Sequence, residues 1–250
     1  MSSTAESDRP VALVTGAARR IGAVIARHLH AAGYDLALHC RHSRTELDAL
    51  IVDLERARAA STLALQADLA DVAALAPLVA ATIKRFGRLD ALVNNASAFD
   101  PTPVGTATPA QWDDLFGANA RAPFFLAQAA APHLAERAGA IVNIVDIYAE
   151  RPLPQHPIYC MSKAALAMMT KALARDLAPA VRVNGVAPGA VLWPDAGKSA
   201  AEQAELIERT PLRRMGTPDD IAATVLWLLR DAPFVTGEIV RVDGGRHLTW

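Results

Sequence analysis

The chain has 250 residues, 52% of them hydrophobic, which is enough to bury one large core at a size that single α/β domains commonly reach. Twenty-five basic residues against twenty-six acidic ones give a formal net charge of −1, which excludes the broad positive field of a nucleic-acid binder and leaves any anion site to local groups. No uncharged apolar run of membrane-spanning length occurs, the polar first ten residues lack the core of a signal peptide, and Cys40 and Cys160 have neither CxxC nor metal-ligand spacing. The expectation is a cytoplasmic protein with reduced thiols and no bound metal or membrane.

Short β-branched or apolar runs alternate with Ala- and Leu-rich amphipathic segments along the whole chain, which predicts βαβ units and a parallel sheet in one domain over 1–250, with 1–9 flexible. Strands are expected over 11–14, 35–39, 62–66, 91–93, 140–145, 181–186 and 239–242, with helices between them. A helix over 23–32 follows the first strand, and one over 45–59 carries Leu47, Leu50, Ile51 and Leu54 on one face. Thr217-Pro218-Asp219-Asp220 reads as an N-cap followed by proline and acids in a first turn. Proline-rich patches at 101–103, 152–157 and 188–194 each follow an expected strand, the edge at which open parallel sheets bind ligands.

Between the first strand and its helix lies Thr15-Gly16-Ala17-Ala18-Arg19-Arg20-Ile21-Gly22. Gly16 permits a tight turn, Gly22 lets helix and strand approach, and the helix N-terminus offers N–H groups and a positive dipole to a pyrophosphate. The second strand ends in His39-Cys40-Arg41-His42-Ser43, where no carboxylate is present to accept from a ribose 2′-hydroxyl. Arg41 and Ser43 suit a 2′-phosphate instead, favouring NADPH over NADH; the alternative is that Arg41 and His42 only solvate a strand end. Asp68-Leu69, after the third strand, places a carboxylate near an adenine amino group, and Asn94-Asn95-Ala96-Ser97, after the fourth, carries backbone over the cofactor. Each also reads as an ordinary turn.

Tyr159 and Lys163 lie four residues apart at the opening of a helix, on one helical face. Hydride reduction of a C=O or C=N bond leaves charge on the heteroatom, so a proton donor must stand beside it; a nearby cation favours the phenolate and so acidifies a tyrosine. Thirteen residues before Tyr159 the fifth strand ends at Asp146, and three polar groups converge on one sheet edge. Asn119 interrupts the apolar segment 115–131; it either holds a water or backbone group behind the lysine or is a structural, helix-kinking amide.

With these motifs in their order and spacing, together with Pro188-Gly189 and Val242-Asp243-Gly244-Gly245, the chain resembles the short-chain dehydrogenase/reductase family over almost all of 10–245. The resemblance implies a Rossmann-type, doubly wound, seven-stranded parallel sheet with helices on both faces, assembled as a homotetramer. Two departures from the general pattern, Arg20 for the second glycine of the turn and Asp146 for a serine, occur together in pteridine reductases. The segments 95–103, 116–123 and 188–194 are similar to that subgroup as well. An ionised aspartate accepts where serine donates, which suits a ring rich in N–H groups, and an aspartic acid of raised pKa relays a proton.

The resemblance implies NADPH as cofactor and a pterin or folate as substrate, reduced from dihydro (or oxidised biopterin) to tetrahydro form. Tyr159 would donate the proton, Lys163 would bind the nicotinamide ribose and tune the phenol, and Asp146 would align or feed the proton, with Asn119 completing the catalytic set. Gly16, Arg19, Arg20, Ile21, Gly22, Arg41, His42, Ser43, Asp68, Leu69, Asn95, Ala96, Ser97, Tyr159, Lys163, Pro188 and Gly189 would hold the cofactor. Arg20, Ser97, Phe99, Asp146, Tyr159, Leu192 and Trp193 would hold the substrate, Phe99 either stacking on the heterocycle or packing in the core. The chain departs from the subgroup at His156, where a tyrosine is usual, and in the order Arg41-His42-Ser43, where His-Arg-Ser is usual. His156 reads as a substrate contact, a proton relay or a solvated loop residue. The competing functions are a carbonyl reductase of small ketones or 3-oxoacyl thioesters, and a cofactor-binding regulator without catalysis.

Overall fold

The structure, a computed structural model, describes residues 8–192 and 199–249. Among these, seven strands form one parallel sheet in the order β3-β2-β1-β4-β5-β6-β7: β1 (Val11–Val14), β2 (Asp35–Cys40), β3 (Thr62–Gln66), β4 (Ala91–Asn94), β5 (Ala140–Ile144), β6 (Arg182–Pro188) and β7 (Ile239–Val242). Helices α1 (Arg20–Ala31), α2 (Arg44–Ala57), α3 (Val72–Phe86), α4 (Pro109–Phe116), α5 (Ala122–Ala135), α6 (Pro157–Leu177), α7 (Ala200–Glu208) and α8 (Pro218–Arg230) fill the connections. None of the described helices is long and apolar enough to cross a membrane.

β1 shows why the strands read as uninterrupted apolar runs. All four of its residues are buried, and the pleat sends Ala12 and Val14 to one face, Val11 and Leu13 to the other. The first face is covered by α1, α2 and α8 through Ile25, Leu29, Leu47, Leu54, Ile221 and Val225. The second is covered by α3, α5 and the end of α6 through Leu75, Val79, Phe86, Leu126, Leu134 and Ala174. The helix ends follow local chemistry: Thr217 and Asp220 form a reciprocal capping box at α8, Thr108 and Gln111 do so at α4, and Asp71 caps α3.

Three boundaries differ from the expected ones for reasons that concern the site. β6 runs on to Pro188, which still pairs with Val242, so Pro188 ends the strand and the turn begins at Gly189. α6 begins at Pro157, placing Tyr159 within its first turn rather than at its start. The segment 115–131 is not one helix, since Gly117–Arg121 forms a π turn between α4 and α5 with the buried Asn119 inside it.

The sheet order reverses direction between β1 and β4, so the loops after these strands part and leave a crevice at the carboxyl edge. The approach of backbone to backbone there is close. A Cβ on Gly22 would lie 2.1 Å from the Gly16 carbonyl oxygen and 2.6 Å from Asn95 Nδ2. Gly22→Ala is therefore expected to lower the unfolding free energy by about 1–3 kcal/mol, the range of overpacking substitutions. Urea denaturation measures it, and a midpoint equal to that of the parent chain would contradict the close approach.

Candidate active site

The glycine turn is held by its neighbours on both sides. Thr15 Oγ1 accepts from the amides of Asn95 (3.0 Å) and Ala96 (3.1 Å), and Asn95 Nδ2 donates to the carbonyls of Thr15 and Gly16, both at 2.9 Å. On the other side, Gly16 N–H donates to His39 Nδ1 and Ala17 N–H to the His39 carbonyl. Gly16 takes a left-handed φ of +63°, and a Cβ there would lie 2.9 Å from Ala96 Cα, so glycine is required on two counts. Arg20 also has a positive φ, +54°, which accounts for the glycine usual at this position and leaves the arginine in a conformation that costs about 1–3 kcal/mol.

These turns enclose a cavity of about 510 Å³. It is bordered by Gly16, Arg19, Arg20, Ile21 and Gly22 of the first turn, by Arg41, His42 and Ser43 after β2, by Asp68 and Leu69 after β3, and by Asn95, Ala96 and Ser97 after β4. The donor set fits a dinucleotide: a side-chain-free backbone cradle, a helix N-terminus and exposed guanidinium groups. Arg41 pairs with Asp68 at 2.8 Å, so two residues assigned separately to the 2′-phosphate and the adenine act as a couple across the cavity mouth. Ser43 stands at the N-cap position of α2 without capping it.

Beyond this cavity, at the ends of β5 and α6, the other three groups meet. Tyr159 Oη donates to Asp146 Oδ2 at 2.6 Å, and Asp146 Oδ1 accepts from the Tyr148 amide at 2.9 Å. Lys163, 2% exposed, donates from Nζ to the Ile144 carbonyl at 2.9 Å and lies 5.9 Å from the centre of the Tyr159 ring. Burial pushes each group toward its neutral form. It pulls Lys163 down to about 8 against the opposing charge of Asp146, and it raises the Asp146 carboxyl despite hydrogen bonds from Tyr159 and Tyr148.

The expectation of an acidified phenol is corrected here. Tyr159 is raised well above its ordinary value, by burial first and then by the charge and hydrogen bond of Asp146. The lysine lies beside the ring, while the carboxyl accepts the hydrogen bond of the phenolic hydroxyl. Asn119 holds the backbone of Ala98 and the hydroxyls of Ser97 and of Ser162, the residue before Lys163. Its Oδ1 accepts from Ser97 Oγ and the Ala98 amide, and its Nδ2 donates to the Ala98 carbonyl and to Ser162 Oγ, all between 2.9 and 3.0 Å. It thus binds the loop after β4 to α6.

That loop carries Phe99, 48% exposed, perpendicular to the Tyr159 ring and stacked on His156, both at 4.7 Å between ring centres. His156 is accordingly part of an aromatic wall, its Nδ1 bonded to the Pro154 carbonyl, and not a freely solvated loop residue. Leu192 is partly exposed; Trp193 lies outside the described residues. Neither Gly189 nor Pro188 borders the cavity, and Gly189 packs against Asp243, with 2.6 Å from a Cβ built on it to Asp243 Cβ. Thr15, Ser162 and His39 escaped sequence reasoning; the one signal that could have found them was polar residues within apolar strand and helix runs.

The profile described as enoyl-(acyl carrier protein) reductase matches residues 16–247. Among curated relatives, pteridine reductase 1 of Leishmania tarentolae is 37% identical over 98% of this chain and 99% of its own. The 3-oxoacyl-(acyl-carrier-protein) reductase of Staphylococcus aureus is 34% identical over 95% of this chain and 98% of its own.

The buried ammonium sets a test of the geometry. Lys163 has a folded value of about 8 against an ordinary 10.5, so between these values the unfolded chain binds more protons, and stability rises with pH. Relative to Lys163→Met, the parent chain should gain roughly 3 kcal/mol across that window. Thermal denaturation of both at a series of pH values measures the difference, and a difference independent of pH would show the ammonium to be solvated.

Proposed function

Because the chain belongs to the short-chain dehydrogenase/reductase family and is an NAD(P)H-dependent oxidoreductase, we propose that it is an NADPH-dependent pteridine reductase that converts dihydropterins to their tetrahydro forms. Oxidised biopterin and dihydrofolate are further candidate substrates. The observation that carries the reading is the 2.6 Å bond from Tyr159 to Asp146, a carboxyl where the general family pattern has a serine.

In this proposal Gly16, Arg19, Arg20, Ile21 and Gly22 hold the pyrophosphate, Arg41, His42 and Ser43 the 2′-phosphate, and Asp68 and Leu69 the adenine. Asn95, Ala96, Ser97, Pro188 and Gly189 frame the nicotinamide half, whose ribose Lys163 binds. Bound NADPH supplies the hydride. Ser97, Phe99, Arg20 and Leu192 hold the heterocycle, with Phe99 offering it an exposed aromatic face.

The proton then follows from the electrostatics. With Asp146 ionised, loss of the Tyr159 proton would set a phenolate against a carboxylate at hydrogen-bond distance. With Asp146 protonated, Tyr159 Oη gives its proton to the ring nitrogen while Asp146 delivers its own to Oη, and no second anion forms beside the first. The raised carboxyl supports this order.

Within the family reading, the chain is a cytoplasmic homotetramer; the exposed Trp112, Phe124, Met161 and Met168 on α4 to α6 support burial against other subunits. The likeness to a 3-oxoacyl-thioester reductase supports a second reading, carbonyl reduction. The carboxyl of Asp146, where the general family pattern has a serine hydroxyl beside the tyrosine, weighs against it.

NADPH oxidation across dihydrobiopterin, biopterin, dihydrofolate and acetoacetyl thioesters separates the two; turnover of the thioester alone would remove the pterin assignment. Tyr159→Phe is expected to lower turnover by about 10² or more, the usual weight of a placed general acid, and an unchanged rate would leave the phenol without a role. The raised Asp146 carboxyl is in its acid form at low pH, so kcat/KM should be highest on the acid side and fall as pH rises through its pKa. Asp146→Asn should lower the rate and abolish that limb; a variant that kept the same limb would assign the titration to another group.

A further inference from the structure

His39 lies on the face of β2 that carries Ala37 into the second core, borders the cavity, and is 1% exposed. Its two ring nitrogens have opposite duties, forced by their partners. The Gly16 amide can only donate, so Nδ1 at 3.3 Å must accept; the Ala67 carbonyl can only accept, so Nε2 at 3.1 Å must carry the proton. The ring is therefore neutral and of one tautomer, in keeping with the downward push of burial on its pKa. Asp68 beside Ala67, itself paired with Arg41, is the charge that acts on it.

The imidazole spans two walls of the cavity: the glycine turn and the loop after β3. The backbone of the same residue takes the next amide, Ala17 N–H at 2.8 Å. With Thr15 and Asn95 fixing the opposite flank, His39 completes the set of partners that holds Gly16 in its left-handed conformation. Without Nδ1 the Gly16 amide would be left without its partner in a part-buried place, and the peptide would turn to find water or the ligand.

We infer that His39 is a cofactor-positioning residue, whose imidazole, by accepting from the Gly16 amide, presets the turn that receives the pyrophosphate. The inference rests on the proposed dinucleotide reading of the cavity. It assigns to the Nδ1 bond, and not to the Nε2 bond, the hold on the cofactor.

Two substitutions separate the bonds. In His39→Asn the side-chain oxygen stands where Nδ1 stood and keeps the acceptor for Gly16, while in His39→Gln the terminal amide stands where Nε2 stood and keeps the donor to Ala67. Each loses one hydrogen bond of the same buried ring, so their melting temperatures should fall by similar amounts. NADPH binding, measured by fluorescence titration of the protein without substrate, should stay within about threefold of the parent for His39→Asn and weaken about tenfold or more for His39→Gln, the equivalent of one lost hydrogen bond. At saturating NADPH, kcat of both should stay near the parent value.

Equal affinities in the two variants, or weaker binding by His39→Asn, would overturn the assignment. One measurement needs no variant: nitrogen NMR of the parent imidazole should show the neutral Nε2–H tautomer at neutral pH, and the Nδ1–H form or an imidazolium would overturn it equally. A parent chain that bound neither NADPH nor NADH would remove the cofactor reading itself. Binding by the parent with unaltered binding by His39→Gln would remove only the role of His39.

Discussion

The contact on which the site depends is the meeting of two turns, one after β1 and one after β4, at less than side-chain distance. Gly16 and Gly22 lie so close to Ala96, Asn95 and each other that the two loops behave as one backbone surface. The hydrogen bonds that join them use the Thr15 hydroxyl and the Asn95 amide as two-way connectors. Because the strands are parallel and the order reverses between β1 and β4, every loop needed for chemistry arrives at this edge, and the joined turns are the reference against which the others are placed. Asn119 extends the connection: through Ala98 and Ser162 it joins the loop after β4 to the helix that carries Tyr159 and Lys163. A π turn is the device that aims this amide inward, since one extra residue in the helical ladder turns its side chain away from the regular face.

The second constraint is dryness. An ammonium, a phenol and a carboxyl share a buried space, and in each case burial is the largest influence, lowering the first and raising the other two. A proton can therefore move among these groups more easily than charge can be created on any one. The lysine contributes position as much as charge, since its fixed bond to the Ile144 carbonyl at the end of β5 ties α6 to the sheet directly beneath Asp146.

Much of this was legible in the sequence. β1, β3 and β7 have the expected bounds because each is a short apolar run closed by turn residues or by glycine, and the α8 cap was readable from Thr217 to Asp220 because a capping box is local. The association of Tyr159, Asp146 and Lys163 was readable from helical spacing and strand order. The π turn was not, because its apolar neighbours continue the helical period on both sides. The phenol was misjudged for a related reason: spacing places the lysine on the same helical face but says nothing of its 5.9 Å distance from the ring or of the carboxyl that reaches the hydroxyl first. His39 and the Arg41–Asp68 pair join loops from different strands, and only the register of β2 on β3, with His39 beside Leu65 and Cys40 beside Gln66, brings them together.

The departures from the family pattern fall where the chain gives up local stability. A non-glycine residue at φ +54° is strained, and the strain at Arg20 sits at the first residue of α1, on the border of the cavity, in a side chain that could have been absent. Phe99 likewise keeps half its surface in water while touching His156 and Tyr159. A core-packing role for Phe99 would have drawn that ring inward, and a purely structural role for position 20 would have kept the glycine. Both residues stand in the connections that follow β1 and β4 at the carboxyl edge of the sheet, and the proposed heterocyclic substrate would give both costs a use.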